Sequence, residues 1–277
     1  MAASWPKPTE AERAHHTTAL CKDAVIFAGL VYALLQFANS LPGLPAEDVA
    51  VASSQTATPL PLLYACAIVV TLTKGDLTGL PPPSKGEPKW DTVSSPLGHF
   101  GYFTLQSLFL QTAYLCLKAY AIYTSNSRVL ELCLVLSVWT NTQSVALTLL
   151  FFKLNWFESN WIREVKIPLE KKFPGISKIW LLGHVPSFFL GLIDAWSTDP
   201  RLIKTYGADL RTIVRFAFCY GAAYLCWAKF WQFYTGGTCI YPFVKDLNSA
   251  LKCLGFVLVV GVAVSAMAFG VHQISLL

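Results

Sequence analysis

The chain has 277 residues, 54% of them hydrophobic and only 13% charged, with a formal net charge of +5, and its mean hydropathy is +0.48. So apolar a chain lies outside the balance of soluble globular domains and is expected to be a multi-pass membrane protein. Its basic residues are scattered among apolar ones, which argues against nucleic acid as a partner, and its eight cysteines form no C-x-x-C pair, which argues against a zinc or redox motif.

In chain order, a polar segment over 1–23, with His15 and His16, leads into an apolar run at 24–40. No small-residue cleavage site ahead of a mature soluble domain follows, so this run is expected to remain as a span. The stretches 41–56 and 77–95 are rich in Pro, Gly, Ser and Thr, with Pro81, Pro82 and Pro83 consecutive. That is loop chemistry rather than helix or strand. Between them, 59–73 is apolar but short, and a thin span, a re-entrant turn and an interfacial helix all remain open.

Five more long apolar stretches follow at 98–123, 129–154, 176–196, 212–234 and 251–277. Each approaches the roughly 20 residues that a transmembrane helix needs. The last has no charged residue after Lys252, whereas 212–234 carries Arg215 and Lys229 near opposite ends, where long side chains lift their charge to the interface. The expected fold is therefore an all-α, polytopic integral membrane bundle of six transmembrane helices, with a seventh short candidate at 59–73. It forms one domain over 24–277 with an insertion at 41–95, and shows no repeat.

Counting seven spans, one side holds Lys7, Arg13, Lys22, Lys74, Lys85, Lys89, the six basic residues of 153–178, Lys245 and Lys252, fourteen against five on the other. Without the short span the counts are 11 and 8. Either way the 153–178 side is expected to face the cytosol.

His184 lies alone in the apolar run 179–193, and an imidazole in hydrocarbon is costly without a partner, so it marks a candidate site. It falls about six residues, or roughly 9 Å, inside the helix that starts near Lys178. The 98–123 helix enters from the same side under either span count, and at the same depth it carries Thr104. A neutral buried imidazole can accept a proton from a hydroxyl, although Ser and Thr in membrane helices more often bond their own backbone or a neighbouring helix. Asp194 lies ten residues on, about 15 Å away, and is expected to meet Arg211 or Arg215. The loop 235–243, rich in Gly and aromatics, either caps a cavity at the Thr104 level or is a turn with interfacial anchors. Lys229 either stabilises an oxyanion or snorkels. His99 is expected at an interface and His272 is expected to bond a neighbouring helix. The run Thr140-Asn-Thr-Gln-Ser144 must face protein or water in mid-bilayer; it suits a transporter or, more simply, hydrogen bonding between helices.

Three motifs in this order resemble one family. Phe100-Gly-Tyr-Phe-Thr104 opens a helix; His184-Val-Pro-Ser is followed ten positions on by Asp194; and Gly236-Gly-Thr-Cys-Ile-Tyr241-Pro242-Phe243 follows the Trp-bearing helix of Tyr224-Leu-Cys-Trp227. Over about 98–277 the chain is similar to the androgen-induced-gene and androgen-dependent TFPI-regulating proteins, membrane threonine hydrolases that cleave fatty acid esters of hydroxy fatty acids. The resemblance implies a carboxylic ester hydrolase with Thr104 as nucleophile and His184 as general base. It implies a lipid ester substrate in contact with membrane lipids, no metal or organic cofactor, and an endomembrane (endoplasmic reticulum) or plasma membrane location. It leaves the oligomeric state open. The alternatives are a multi-pass transporter of a lipid or small molecule and a non-catalytic membrane scaffold.

Overall fold

The computed structural model describes residues 10–54, 103–159, 162–172, 174–234 and 242–277, and among these the structure is helices joined by short turns, with no strand. The helices are α1 (Glu10–Asn39), α2 (Ala46–Ser54), α3 (Phe103–Thr124), α4 (Ser127–Phe152), α5 (Ile167–Lys172), α6 (Ile176–Ser197), α7 (Pro200–Tyr206), α8 (Leu210–Tyr234) and α9 (Ala250–Ile274). Two π-helical turns, Lys153–Phe157 and Ile162–Lys166, link α4 to α5, and a 3-10 turn, Pro242–Asp246, precedes α9.

Six long helices thus lie on the six apolar runs. Three helical segments, Cys21–Asn39 within α1, α4 and α9, are both long and apolar enough to cross a membrane. The remaining long ones, α3, α6 and α8, have 22, 22 and 25 residues. The short apolar stretch 59–73 lies outside the described residues.

One expectation about the insertion is corrected. Residues 46–54 form helix α2, not loop. The Pro45 carbonyl takes the first intrahelical bond, from Val49 N–H at 3.0 Å, and Glu47 and Asp48 lie in the first turn, where negative charge suits the helix dipole. Gly43, at φ +88°, supplies the left-handed turn between α1 and α2 that a side chain would strain. Its N–H donates to Glu131 Oε2 at 2.7 Å, and Tyr206 Oη donates to Asp48 Oδ2 at 2.5 Å. The start of the insertion is therefore fastened to one end of the bundle. The polar stretch before the first apolar run is helical as well, because α1 begins at Glu10.

Helix α4 is the hub. It packs against α1, α3, α6 and α9 and buries side chains all round, from Leu132 and Val138 to Leu147, as a helix in the middle of a bundle does. Ser125, at φ +53°, and the cap residue Asn126, whose Oδ1 accepts from Val129 N–H at 3.2 Å, reverse the chain between α3 and α4. Small residues set the spacing of α6 on α4. A Cβ placed on Gly191 would lie 3.0 Å from Ser144 Cβ, so glycine allows the close approach seen between membrane helices. Trp139 of α4 meets Phe216 and Tyr220 of α8 edge-on, with ring centroids 4.8 and 5.7 Å away. The outer faces of α1, α8 and α9 leave Val25, Phe233, Val259 and Val262 exposed, the large apolar surface that marks a membrane or partner contact.

Candidate functional site

Polar side chains recur at alternating steps of three and four along the inner faces of three helices. Such spacing places them on one stripe of each helix. On α3 the stripe is Thr104, Ser107, Gln111, Tyr114 and Lys118. On α4 it is Ser137, Asn141, Ser144 and Thr148, and on α6 it is His184, Ser187 and Asp194, with Gly191 on the same face and Thr198 as the C-cap just beyond. Together they form a buried polar seam.

The bonds across the seam fix the register of α3 and α6. Gln111 Nε2 donates to the Ser187 carbonyl at 3.1 Å, and Ser187 Oγ returns a bond to Gln111 Oε1 at 2.5 Å. Tyr114 Oη donates to Asp194 Oδ2 at 2.7 Å. Lys118 Nζ donates to Asp194 Oδ1 at 2.6 Å and to Thr198 Oγ1 at 3.2 Å. Rising numbers on α3 pair with rising numbers on α6, so the two helices are parallel, as the span parity requires. Each pair is separated by 76 or 80 positions. The same offsets place Thr104 level with residues 180–184, within one turn of His184.

Thr104 is the second residue of α3 and is half-buried. Next to it, Phe103 N–H donates to Tyr224 Oη at 3.0 Å, and Tyr220 Oη donates to Gln106 Oε1 at 2.5 Å. Helix α8 thus holds the start of α3 through two tyrosines. His184, also half-buried, stacks on Phe151 with ring centroids 4.2 Å apart and planes 21° from parallel. A flat stack fixes the plane of the imidazole. Thr148 Oγ1 donates to the His184 carbonyl at 2.7 Å, tying α4 to α6 just before Pro186, which has no N–H to give the helix.

Asp194 sits at the other end of the seam, and the expectation that it meets Arg211 or Arg215 is corrected. Its partners are Lys118, Tyr114 and Asn141, whose Nδ2 donates to Asp194 Oδ2 at 2.9 Å. The physical reason is that Asp194 faces inward on the stripe shared with α3 and α4, whereas Arg211 is exposed on α8. A cavity of about 20 Å³ adjoins Lys118, Tyr114, Cys133 and Thr198, room for about one water molecule. It lies at the Asp194 end and not beside His184.

The run Thr140–Ser144 is buried and bonds between helices. Besides Asn141 to Asp194, Ser107 Oγ donates to Gln143 Oε1 at 3.0 Å. Thr140 Oγ1 and Asn141 Oδ1 are buried with no hydrogen-bond partner. Lys229 Nζ donates to Gln232 Oε1 at 3.0 Å and to the Val244 carbonyl at 2.8 Å, so its bonds run to its own helix and the 3-10 turn. His272 Nδ1 is buried without a hydrogen-bond partner, so the expected bond to a neighbouring helix is not made through that nitrogen. His99 and residues 235–241 lie outside the described residues; the end of that loop is seen at Phe243, which stacks on Phe256 at 5.4 Å.

Outside the long helices, the Glu170 carboxyl is held below its ordinary range. Burial, the largest single influence, pushes it up. The hydroxyl of Ser177, the N–H groups of Gly175 and Ser177 and the charge of Lys166 together outweigh burial. Asp199 is lowered chiefly by its hydrogen bond from Arg201.

Among the described residues no cluster of His, Cys, Asp and Glu is arranged to hold a metal ion. Protein-family models, curated proteins and solved structures give no match to this chain. Sequence reasoning missed Lys118, Gln111 and Tyr114, although their three-and-four spacing in an otherwise apolar helix carried the signal.

Proposed function

We propose that this protein is a membrane-embedded, six-span ester hydrolase in which Thr104 is the nucleophile and His184 the general base. The observation that supports it is the α3–α6 register, which brings a hydroxyl and an imidazole to one level on facing polar stripes. In the reaction, Thr104 Oγ forms a bond to the ester carbonyl carbon while its proton passes to a ring nitrogen of His184. The tetrahedral species collapses by breaking the bond to the alcohol oxygen, which takes the proton back from the imidazolium and leaves an acyl-threonine. Water, deprotonated by the same ring, then releases the acid and restores Thr104. The apolar surroundings suit a long-chain lipid ester, with fatty acid esters of hydroxy fatty acids as the class that the sequence resemblance implies.

The test is purified protein in detergent with a fluorophosphonate probe and a branched fatty acid ester. Labelling and hydrolysis are expected to fall by about a hundredfold or more in Thr104→Ala and in His184→Ala, as for loss of a nucleophile or its base. Unchanged labelling and hydrolysis in both variants would overturn the mechanism. A second reading, transport, draws on the unpartnered buried Thr140 Oγ1 and Asn141 Oδ1. It predicts flux of a lipid or small molecule across vesicles that survives Thr104→Ala and is lost in Asn141→Leu.

A further inference from the structure

The connection from α4 to α6 mixes exposed cations with exposed aromatics. Over 153–178 it holds Lys153, Arg163, Lys166, Lys171, Lys172 and Lys178 against Glu158, Glu164 and Glu170. Trp156 is 52% and Phe157 81% exposed, with Ile167 at 45%. Lys153, Arg163, Lys171 and Lys178 are exposed as well. One of the three acids is spent locally, because the Glu170 carboxylate accepts from Gly175 N–H at 2.7 Å and from Ser177 Oγ at 2.7 Å. What is left facing outward is an apolar-aromatic and net basic surface.

On a water-facing loop, an indole and a phenyl ring left this exposed lose hydrophobic free energy with no return. At a bilayer surface the same residues fit, since Trp sits at the headgroup level and Lys and Arg pair with anionic lipid. The local geometry also suits that depth. The π-helical turn Lys153–Phe157 continues directly from α4, itself apolar enough to cross a membrane, so Trp156 and Phe157 emerge about one turn beyond its end. Lys166 Nζ lies 5.0 Å over the Trp156 ring, which holds a cation and an indole together at one height.

We infer that residues 153–159 and 162–171 form an interfacial platform that binds the anionic phospholipid headgroups of the leaflet at this end of the bundle. Charge complementarity selects that occupant. A zwitterionic leaflet would satisfy the aromatic rings but not the excess of cations, and each cation held near an anionic surface strengthens the contact severalfold. The platform is also continuous with the candidate site. Trp156 contacts Phe151 at 6.0 Å between centroids, and Phe151 stacks on His184 at 4.2 Å. A headgroup seated at Trp156 is thus one ring removed from the imidazole. The inference needs the membrane placement but none of the proposed ester chemistry.

The experiment uses the full chain reconstituted in phosphatidylcholine vesicles containing brominated phosphatidylserine or brominated phosphatidylcholine at equal mole fraction. Tryptophan quenching is read as the difference between wild type and Trp156→Phe, which isolates Trp156 from the other indoles. The Trp156 signal is expected to be quenched more by the brominated serine lipid. That preference is expected to fall about tenfold or more in the triple variant Lys153→Gln/Arg163→Gln/Lys171→Gln, and to weaken at high salt. Thr104→Ala should leave it unchanged, so loss of the ester chemistry and loss of the platform are separable. Soluble glycerophosphoserine should not compete, which distinguishes a membrane surface from a free phosphate site. Equal quenching by the two lipids, no quenching by either, or a preference that survives the triple variant would each overturn the proposal. Should Trp156→Phe fail to fold, Phe157→Trp, whose added indole is quenched in the same way, supplies the same comparison.

Discussion

Removing the charge of Lys118 while leaving Asp194 in place tests whether the seam is held as described. Asp194 is 8% exposed and Lys118 18%, so the pair is largely withdrawn from water. In Lys118→Met the carboxylate keeps the Tyr114 and Asn141 donors, at 2.7 and 2.9 Å, but loses its only described counter-charge. Breaking one side of a buried pair costs about 3–5 kcal/mol, and Asp194 is largely shielded from water. Asp194→Asn is expected to cost less, about 1–3 kcal/mol, because Lys118 lies six residues from the end of α3 and its flexible stem can carry the ammonium outward. The double variant Lys118→Met/Asp194→Asn removes both charges and retains an acceptor for Tyr114. It is expected to return to within about 1–2 kcal/mol of wild type, since a buried pair contributes little net stability over a neutral replacement. The assay is a double-mutant cycle on reversible unfolding in mixed micelles, followed by tryptophan fluorescence. A Lys118→Met change below about 1 kcal/mol, or losses that simply add in the double variant, would refute the reasoning. Arg211→Gln and Arg215→Gln serve as controls and should change stability little.

Three further outcomes follow from the same structure. Gly191→Val forces a branched side chain into a contact already at 3.0 Å from Ser144 Cβ; a loss of about 1–3 kcal/mol is expected in the same micelle unfolding assay, and Ser144→Gly in the same chain should recover part of it. Phe151→Leu removes the ring that fixes the plane of His184, and under the proposed chemistry kcat should fall by about tenfold or more with KM little changed; a change confined to KM would count against a role in orienting the imidazole. Glu170 gives the pH dependence. Its folded pKa lies below the ordinary carboxyl value of 4.5, so the order that it gives to residues 170–177 is present above that value and lost as pH falls through the depressed pKa. Pepsin cleavage of this turn, followed on lowering the pH, should begin only below the usual carboxyl range in wild type, whereas Glu170→Gln should be open to cleavage across the acid range; superimposable profiles would rule this out.

Much of the architecture could be read directly. Runs of apolar residues 20 or so long leave no option but helix, because in hydrocarbon every backbone N–H and C=O must be satisfied within the segment. The six long helices accordingly lie where hydropathy places them. The parallel relation of α3 and α6 followed from parity, since two spans separate their starts. Helix α2 was hidden because nine residues carry too little periodicity to stand out beside the prolines and serines that flank them. Its order comes from contacts distant in sequence, Gly43 with Glu131 and Asp48 with Tyr206.

For the site, the sequence by itself determined that His184 and the polar run at 140–144 are costly in a bilayer. It also put Thr104 and His184 on helices expected to run parallel, as α3 and α6 do. Only the tertiary structure decided the partners. Asp194 had cations within reach in sequence at Arg211 and Arg215, yet it pairs with Lys118, 76 positions away, because the stripes of α3, α4 and α6 close on one another and exclude water. Composition sets the cost of burying a charge, but which opposite charge offsets it depends on the rotation and register of packed helices, and those are fixed by small contacts such as Gly191 on Ser144 that no single helix specifies alone.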